Sequence, residues 1–211
     1  MSGIVTQNVV RHTGLVKAAS GGGGEWTLIK TLTSDGSDAT LDFVDGTDDV
    51  VIDSTYNAYC FKLHSIHPET DDSGNMLGFQ GNAAGGSGFN ETITSNTYAN
   101  YNNEGGTDSA LTYGTGQDQG QGTAYQPLSI TGPTGADNDQ CVSGSLYLFN
   151  PSSTTFTKHF VATTNTSTHD NYSIQSYIAG YFNTGSAIDE ISFKFASDEI
   201  QGGSISLYRI G

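Results

Sequence analysis

This 211-residue chain predicts an all-β fold: an antiparallel β-sandwich of jelly-roll type carrying an extended N-terminal arm. Three observations point there. Short runs of alternating apolar and polar residues recur along the chain, separated by Gly, Asn, Asp, Pro and Ser turn signals. Twenty-eight glycines, eleven tyrosines and ten phenylalanines stand beside only 14% charged residues, a mix suited to many short strands joined by tight turns. Helical periodicity is almost absent.

Taken in order, "EWTLIKTL" sets Trp26, Leu28 and Lys30 against Thr27, Ile29 and Thr31, and "ATLDFVD" sets Leu41 and Phe43 against Thr40, Asp42 and Val44. "NAYCFKLHSI" alternates Tyr59, Phe61 and Leu63 with Cys60, Lys62 and His64, and Pro68 stops it soon after. The middle is weaker. Between Asp71 and Gln126 only "NMLGFQ", "FNETIT" and "SALTYG" read as strands, and "GTGQDQGQGTA" reads as a low-complexity exposed loop or edge. The last third is clearest: "CVSGSLYLF" and "TFTKHFVAT" flank the turn "NPSS" as a hairpin. "NYSIQSYIAGYF", "IDEISFKFAS" and "SISLYRIG" follow, separated by "NTGS" and "DEIQGG" turns. In "ISFKF", Ile191, Phe193 and Phe195 share a core face while Ser192 and Lys194 face water; in the final run Ile205 and Leu207 point inward. About ten strands result, enough for a two-sheet sandwich.

The chain divides at the change in pattern: residues 1–24 form an arm for anchoring or assembly, and residues 25–211 a β-sandwich head. The net charge is −15. The arm holds Arg11 and Lys17 and no acid, leaving five of the seven basic residues against all twenty-two acids from residue 25 onward. A body so acidic is not expected to bind nucleic acid, which needs a basic surface to neutralise phosphate. No secretory signal is evident at the start, and no stretch approaches the roughly 20 apolar residues of a membrane span. Neither membrane insertion nor an oxidising compartment is expected, so Cys60 and Cys141 read as two buried thiols.

Catalytic chemistry finds little support. There is no G-x-S-x-G elbow and no phosphate-cradling loop with its lysine, and a glycosidase carboxylate pair is not visible from spacing, so the chain is expected not to be an enzyme. His64 and His67, three apart on a strand, are expected on opposite faces and so do not suggest a shared metal. Calcium is the one cofactor candidate, at Asp45, Asp48 and Asp49 in "DGSDATLDFVDGTDD", where hard oxygen ligands cluster without EF-hand spacing; the same aspartates also suit ordinary turns.

At the strands just described, "GGEWTLIKTLT" with "ATLDFVDGTDDVVID", then "FKLHSIHP", "DNDQCVSGSLYLFNPSSTTFTKHFVATT", "YIAGY" and "ISFKFASDEIQGGSISLYRIG" together resemble virion structural proteins of marine bacteriophages. These are the phages of cyanobacteria and of abundant marine heterotrophs. The resemblance spans roughly residues 24–211 and is strongest at "LYLFNPSSTTF" and "GGSISLYRI". It implies a particle component, located in the virion, and supplies no catalytic residues.

The expected function is a non-enzymatic structural protein on the particle exterior, of capsid decoration or knob type. Val9, Val10, Arg11, Leu15, Val16 and Lys17 of the arm would engage other virion proteins, with apolar side chains adding to a partner sheet and the two cations meeting acidic surface. A symmetric homo-oligomer, a trimer by preference, is expected. The alternative is a short tail-fibre or receptor-binding head contacting host-surface glycans. There Tyr98, Tyr101, Tyr113 and Tyr125, around the Tyr- and Asn-rich "NTYANYNNEGG", would offer stacking faces and hydrogen bonds.

Overall fold

The computed structural model describes residues 25–71, 74–130 and 132–211. The arm residues Val9, Val10, Arg11, Leu15, Val16 and Lys17 lie outside the described residues. Among those described there is no helix, and thirteen strands replace the expected ten. The first seven are β1 (Trp26–Thr33), β2 (Leu41–Val44), β3 (Ala58–Pro68), β4 (Leu77–Ala83), β5 (Ile93–Asn103), β6 (Ser109–Tyr113) and β7 (Gly120–Gly122). Then come β8 (Gln126–Pro127), β9 (Val142–Phe149), β10 (Lys158–Ser167), β11 (Tyr172–Phe182), β12 (Ile188–Phe195) and β13 (Ile200–Ile210).

They form two antiparallel sheets packed as a sandwich. The larger has nine strands in the order β1-β13-β3-β9-β10-β11-β5-β6, with β7 also on β5; the smaller is β2-β12-β4-β8. The strand written in sequence as "SLYRIG" is thus internal: β13 is held between β1 and β3, with Ile205 and Leu207 fully buried. The β9–β10 hairpin around "NPSS" forms as the turn signal predicts.

Phenylalanines knit the sheets together. Phe43, Phe79 and Phe193 project from the smaller sheet, and Phe61, Phe160 and Phe182 from the larger. Ring centroids lie 5.2 Å apart for Phe43–Phe61, 5.4 Å for Phe61–Phe193 and 5.0 Å for Phe79–Phe160, mostly edge to face, the arrangement that aromatic quadrupoles favour. A satellite cluster of Ala99, Ile130 and Ile174 lies under the loop that follows β8, and Tyr101 and Tyr172 pack against it.

Bulges break the simple alternation in several strands. In β1 the register shifts between Leu28 and Lys30, so Ile29 and Leu32, three apart, both pack on the core. In β3 it shifts between Leu63 and Ile66 at Ser65, whose φ is 50°. Leu63 and Ile66 are both buried there, so His64 and His67 share the outward side, contrary to the opposite faces expected from spacing. In β13 the pair Gly202–Gly203, expected as a turn, is a bulge inside the strand.

Buried polar groups tie down what the sequence leaves as loops. Gln80 is fully buried, its Nε2 donating to the carbonyls of Glu91, Thr123 and Ala124 at 3.0–3.2 Å while its Oε1 accepts the Gly81 amide at 2.8 Å. Gln126 Nε2 donates to Gln117 O at 3.0 Å, and Gln119 Nε2 to Ala124 O at 2.9 Å. The glutamine-rich "GQDQGQGTA" is therefore a tethered edge, with β7 inside it.

Tyr59 does similar work beneath the Asp53 turn. Its hydroxyl donates to Asp53 O at 2.9 Å and accepts the Asp53 amide at 2.9 Å. Burial pushes the phenol up from 10.0 to about 12. A folded-state value raised this way contributes stability that is complete below pH 10 and lost as pH rises from about 10 to about 12. Tyr59→Phe is expected to cost about 1–3 kcal/mol at neutral pH, since both Asp53 backbone groups lose their partner. Urea midpoints measured near pH 8 and near pH 11 should also converge in the variant more than in the parent, this group's part of the alkaline loss being gone. An unchanged alkaline slope would contradict the role given to Tyr59.

Candidate binding surface on the large sheet

The outward face of the nine-stranded sheet is built by register. On β5, Thr97 and Ala99 are buried, which turns Tyr98, Asn100 and Asn102 outward. Tyr98 pairs with Tyr177 of β11 on one side and Tyr113 of β6 on the other, giving a row of three tyrosines across three strands. The rings of Tyr98 and Tyr177 stack at 4.9 Å with 13° between planes. Tyr98 remains 44% exposed and Tyr113 57%.

Two residues further along each strand the face turns to amides and hydroxyls. Asn100 pairs with Gln175 and Leu111, and Asn102 with Ser173 and Ser109; on β10, Asn165 and Ser167 continue these rows. A groove of about 680 Å³ runs here, lined by Asn100, Tyr101, Asn102, Leu111, Asn165, Tyr172 and Ser173 among others, with the Tyr98–Tyr113 row beside it on the sheet. Asn165 Nδ2 donates to Ser173 Oγ at 3.0 Å, fixing one wall. Glu104 is the one ionisable carboxyl in its described lining, which holds no lysine, arginine or histidine.

Of the four tyrosines expected from sequence, only Tyr98 and Tyr113 belong to this face. Tyr101, three residues from Tyr98, packs against the satellite cluster and edge-on against Tyr172 at 5.7 Å, and both residues also line the groove. Tyr125 sits by the other sheet, its ring 4.4 Å beneath Lys194 Nζ and its hydroxyl 3.0 Å from Ser192 Oγ. That contact also buries Ser192, which was expected to face water, while Lys194 on the same face stays partly exposed. Tyr177 was missed from sequence, as were Gln175 and Asn165 on β11 and β10, whereas Asn100 and Asn102 fall in the Asn-rich segment already singled out.

A second outward patch surrounds β1. Trp26 contacts Tyr208 at 5.7 Å and Tyr147 at 6.0 Å, Lys62 Nζ lies 4.8 Å over the indole, and Tyr147 stacks with Phe149 at 6.5 Å. Cys60 is completely buried, and burial pushes its thiol up to about 11, which leaves it a poor nucleophile. Cys141, expected to be buried as well, is half-buried and precedes β9.

The aspartates considered for calcium shape a turn. Asp45 Oδ1 accepts the Ile52 amide at 2.8 Å, and Asp48 and Asp49 have φ of 49° and 67°, a left-handed conformation that aspartate tolerates. Among the described residues no three His, Cys, Asp or Glu side chains gather as a metal-holding group. Comparison of the chain with protein-family models, with curated proteins and with solved structures gave no match.

Proposed function

We propose that this chain is a non-enzymatic bacteriophage virion protein, displayed on the particle exterior as a capsid decoration and anchored by residues 1–24. The observation that carries the reading is the edge strand where the arm joins the head. Among the described residues β1 borders the large sheet with one side unpaired, and Trp26 and Leu28 at its start are 40% and 52% exposed. An open edge beside an outward apolar patch is a surface suited to a neighbouring subunit.

Two further observations support it. The strand order interleaves the two sheets: β13 lies between β1 and β3, β12 between β2 and β4, and β9 and β8 follow β3 and β4. That wrapping favours the jelly-roll description of the sandwich, an architecture used by capsid proteins. The expected resemblance to phage virion proteins is strongest at β9 with its turn and at β13, both internal strands of the large sheet. The partners would be other virion proteins and further copies of the chain in a symmetric ring, a trimer by preference, with no role for nucleic acid or membrane insertion.

Deleting residues 1–24 tests the anchoring. The truncated head should keep its β-rich circular dichroism spectrum and its urea midpoint, yet fail to co-sediment with particles assembled in its presence. Incorporation equal to that of the full chain would overturn the assignment.

A further inference from the structure

We infer that the groove across β10, β11, β5 and β6 binds an uncharged oligosaccharide. The argument rests on chemistry and register, and stands whether or not the chain is a virion protein. Sugars present hydroxyls that both donate and accept, alternating with C–H faces. The groove presents the complement: Asn100, Asn102, Asn165 and Ser173, which donate and accept, lead up to the tyrosine row of Tyr98 and Tyr113. Aromatic platforms beside a few placed polar groups are the usual composition of a ligand site.

Charge narrows the class. The chain carries −15, and the described lining of the groove offers no cation to an incoming carboxylate, sulfate or phosphate. Acidic polysaccharides would therefore be repelled at the approach and unpaired on arrival, while a neutral glycan suffers neither cost. Length narrows it further. Tyr98 to Asn102 spans about 13 Å at roughly 3.3 Å per strand residue, so the face suits several linked rings rather than one.

Rigidity makes the surface ready in advance. β5 pairs with β11 over eleven consecutive residues, and β11 with β10 over ten, so the outward side chains stand on continuous ladders rather than on loops. The stacked Tyr177 holds the Tyr98 ring in a fixed orientation. Little ordering entropy remains to oppose binding.

The test is titration of the full chain with neutral oligomers of glucose, mannose and N-acetylglucosamine, with polygalacturonate as the acidic counterpart, by calorimetry and by glycan array. At least one neutral oligomer should bind and polygalacturonate should not. Tyr98→Ala and Asn100→Ala should each weaken that binding about tenfold or more, and Phe156→Ala, an exposed residue beyond the groove, should leave it unchanged. Circular dichroism and urea midpoints of the variants confirm that each still folds. Absence of neutral binding, preference for the acidic polymer, or binding indifferent to both groove substitutions would overturn the inference. So would sedimentation showing an oligomer that Asn100→Ala dissociates, because the groove would then be filled by a second copy.

Discussion

Replacing Phe193 by alanine is expected to lower the unfolding free energy by about 3–5 kcal/mol, the range for removing a buried phenylalanine. Phe193 is fully buried on β12, and its ring meets Phe61 at 5.4 Å, Phe43 at 6.2 Å and Phe79 at 6.3 Å. Those partners come from three other strands in both sheets, so the vacancy cannot be refilled by moving one neighbour. Loss of the ring contacts, edge to face with Phe43 and tilted with Phe61 and Phe79, adds to the lost transfer of the ring from water. Against a typical domain stability of about 5–15 kcal/mol, the variant would be only marginally folded at the lower end of that range. Urea titration measures it: the midpoint should fall steeply with little change in slope, and Phe193→Leu, which leaves a smaller void, should recover much of the loss. A loss below about 1 kcal/mol would mean that the sheets do not meet at this ring.

Phe193 also shows what the sequence discloses. Its alternation with Ser192 and Lys194 is enough to place it inward, as it is for Ile205 and Leu207, because a two-residue period maps directly onto the two faces of a strand. The period fails where a bulge intervenes. His64 and His67 come to one side because Ser65 adds a residue between Leu63 and Ile66, a geometric event with no composition cue of its own. The segment "NTYANYNN" is a different case: rich in Asn and Tyr, it reads as loop, yet its strict alternation of Thr97 and Ala99 with Tyr98 and Asn100 is that of β5. Low strand propensity of asparagine masked the pattern, and pairing with β11 and β6 overrode it. The candidate site was therefore half legible. Tyr98 and Tyr113 were within reach of the local sequence, but Tyr177 and Asn165 arrive from strands more than fifty residues away, through pairings no local pattern states. Tyr125 was misassigned for the complementary reason: its partners Ser192 and Lys194 lie equally far along the chain.

Gly203→Ala is expected to destabilise the head by about 2–5 kcal/mol, combining backbone strain with a steric clash. Gly203 has φ of +100°, where a side chain is strained in any surroundings. The surroundings are also closed: an added Cβ would lie 2.4 Å from Ser65 O, 2.7 Å from His64 O and 2.7 Å from Ile66 Cα. All three are backbone atoms of β3, so relief requires moving the strand, not rotating a side chain. The bulge at Gly203 faces the bulge at Ser65, and each makes room for the other. Gly202→Ala is the natural control. Its added Cβ would meet the imidazole of His67, Nε2 at 2.5 Å, a side chain that can turn away, so the loss should be distinctly smaller. Hydrogen exchange gives a local readout, since the Ser34 amide donates to Gly203 O at 3.0 Å and the Ser65 amide to Ser143 Oγ at 2.9 Å. Both amides should exchange faster in Gly203→Ala before the rest of β13 does. Equal losses for the two glycines, or protection unchanged at Ser34 and Ser65, would mean that the paired bulges do not set the register of β13. If the losses divide as expected, the second glycine in "GGSISLYRI", Gly203, is a backbone requirement for seating that strand between β1 and β3.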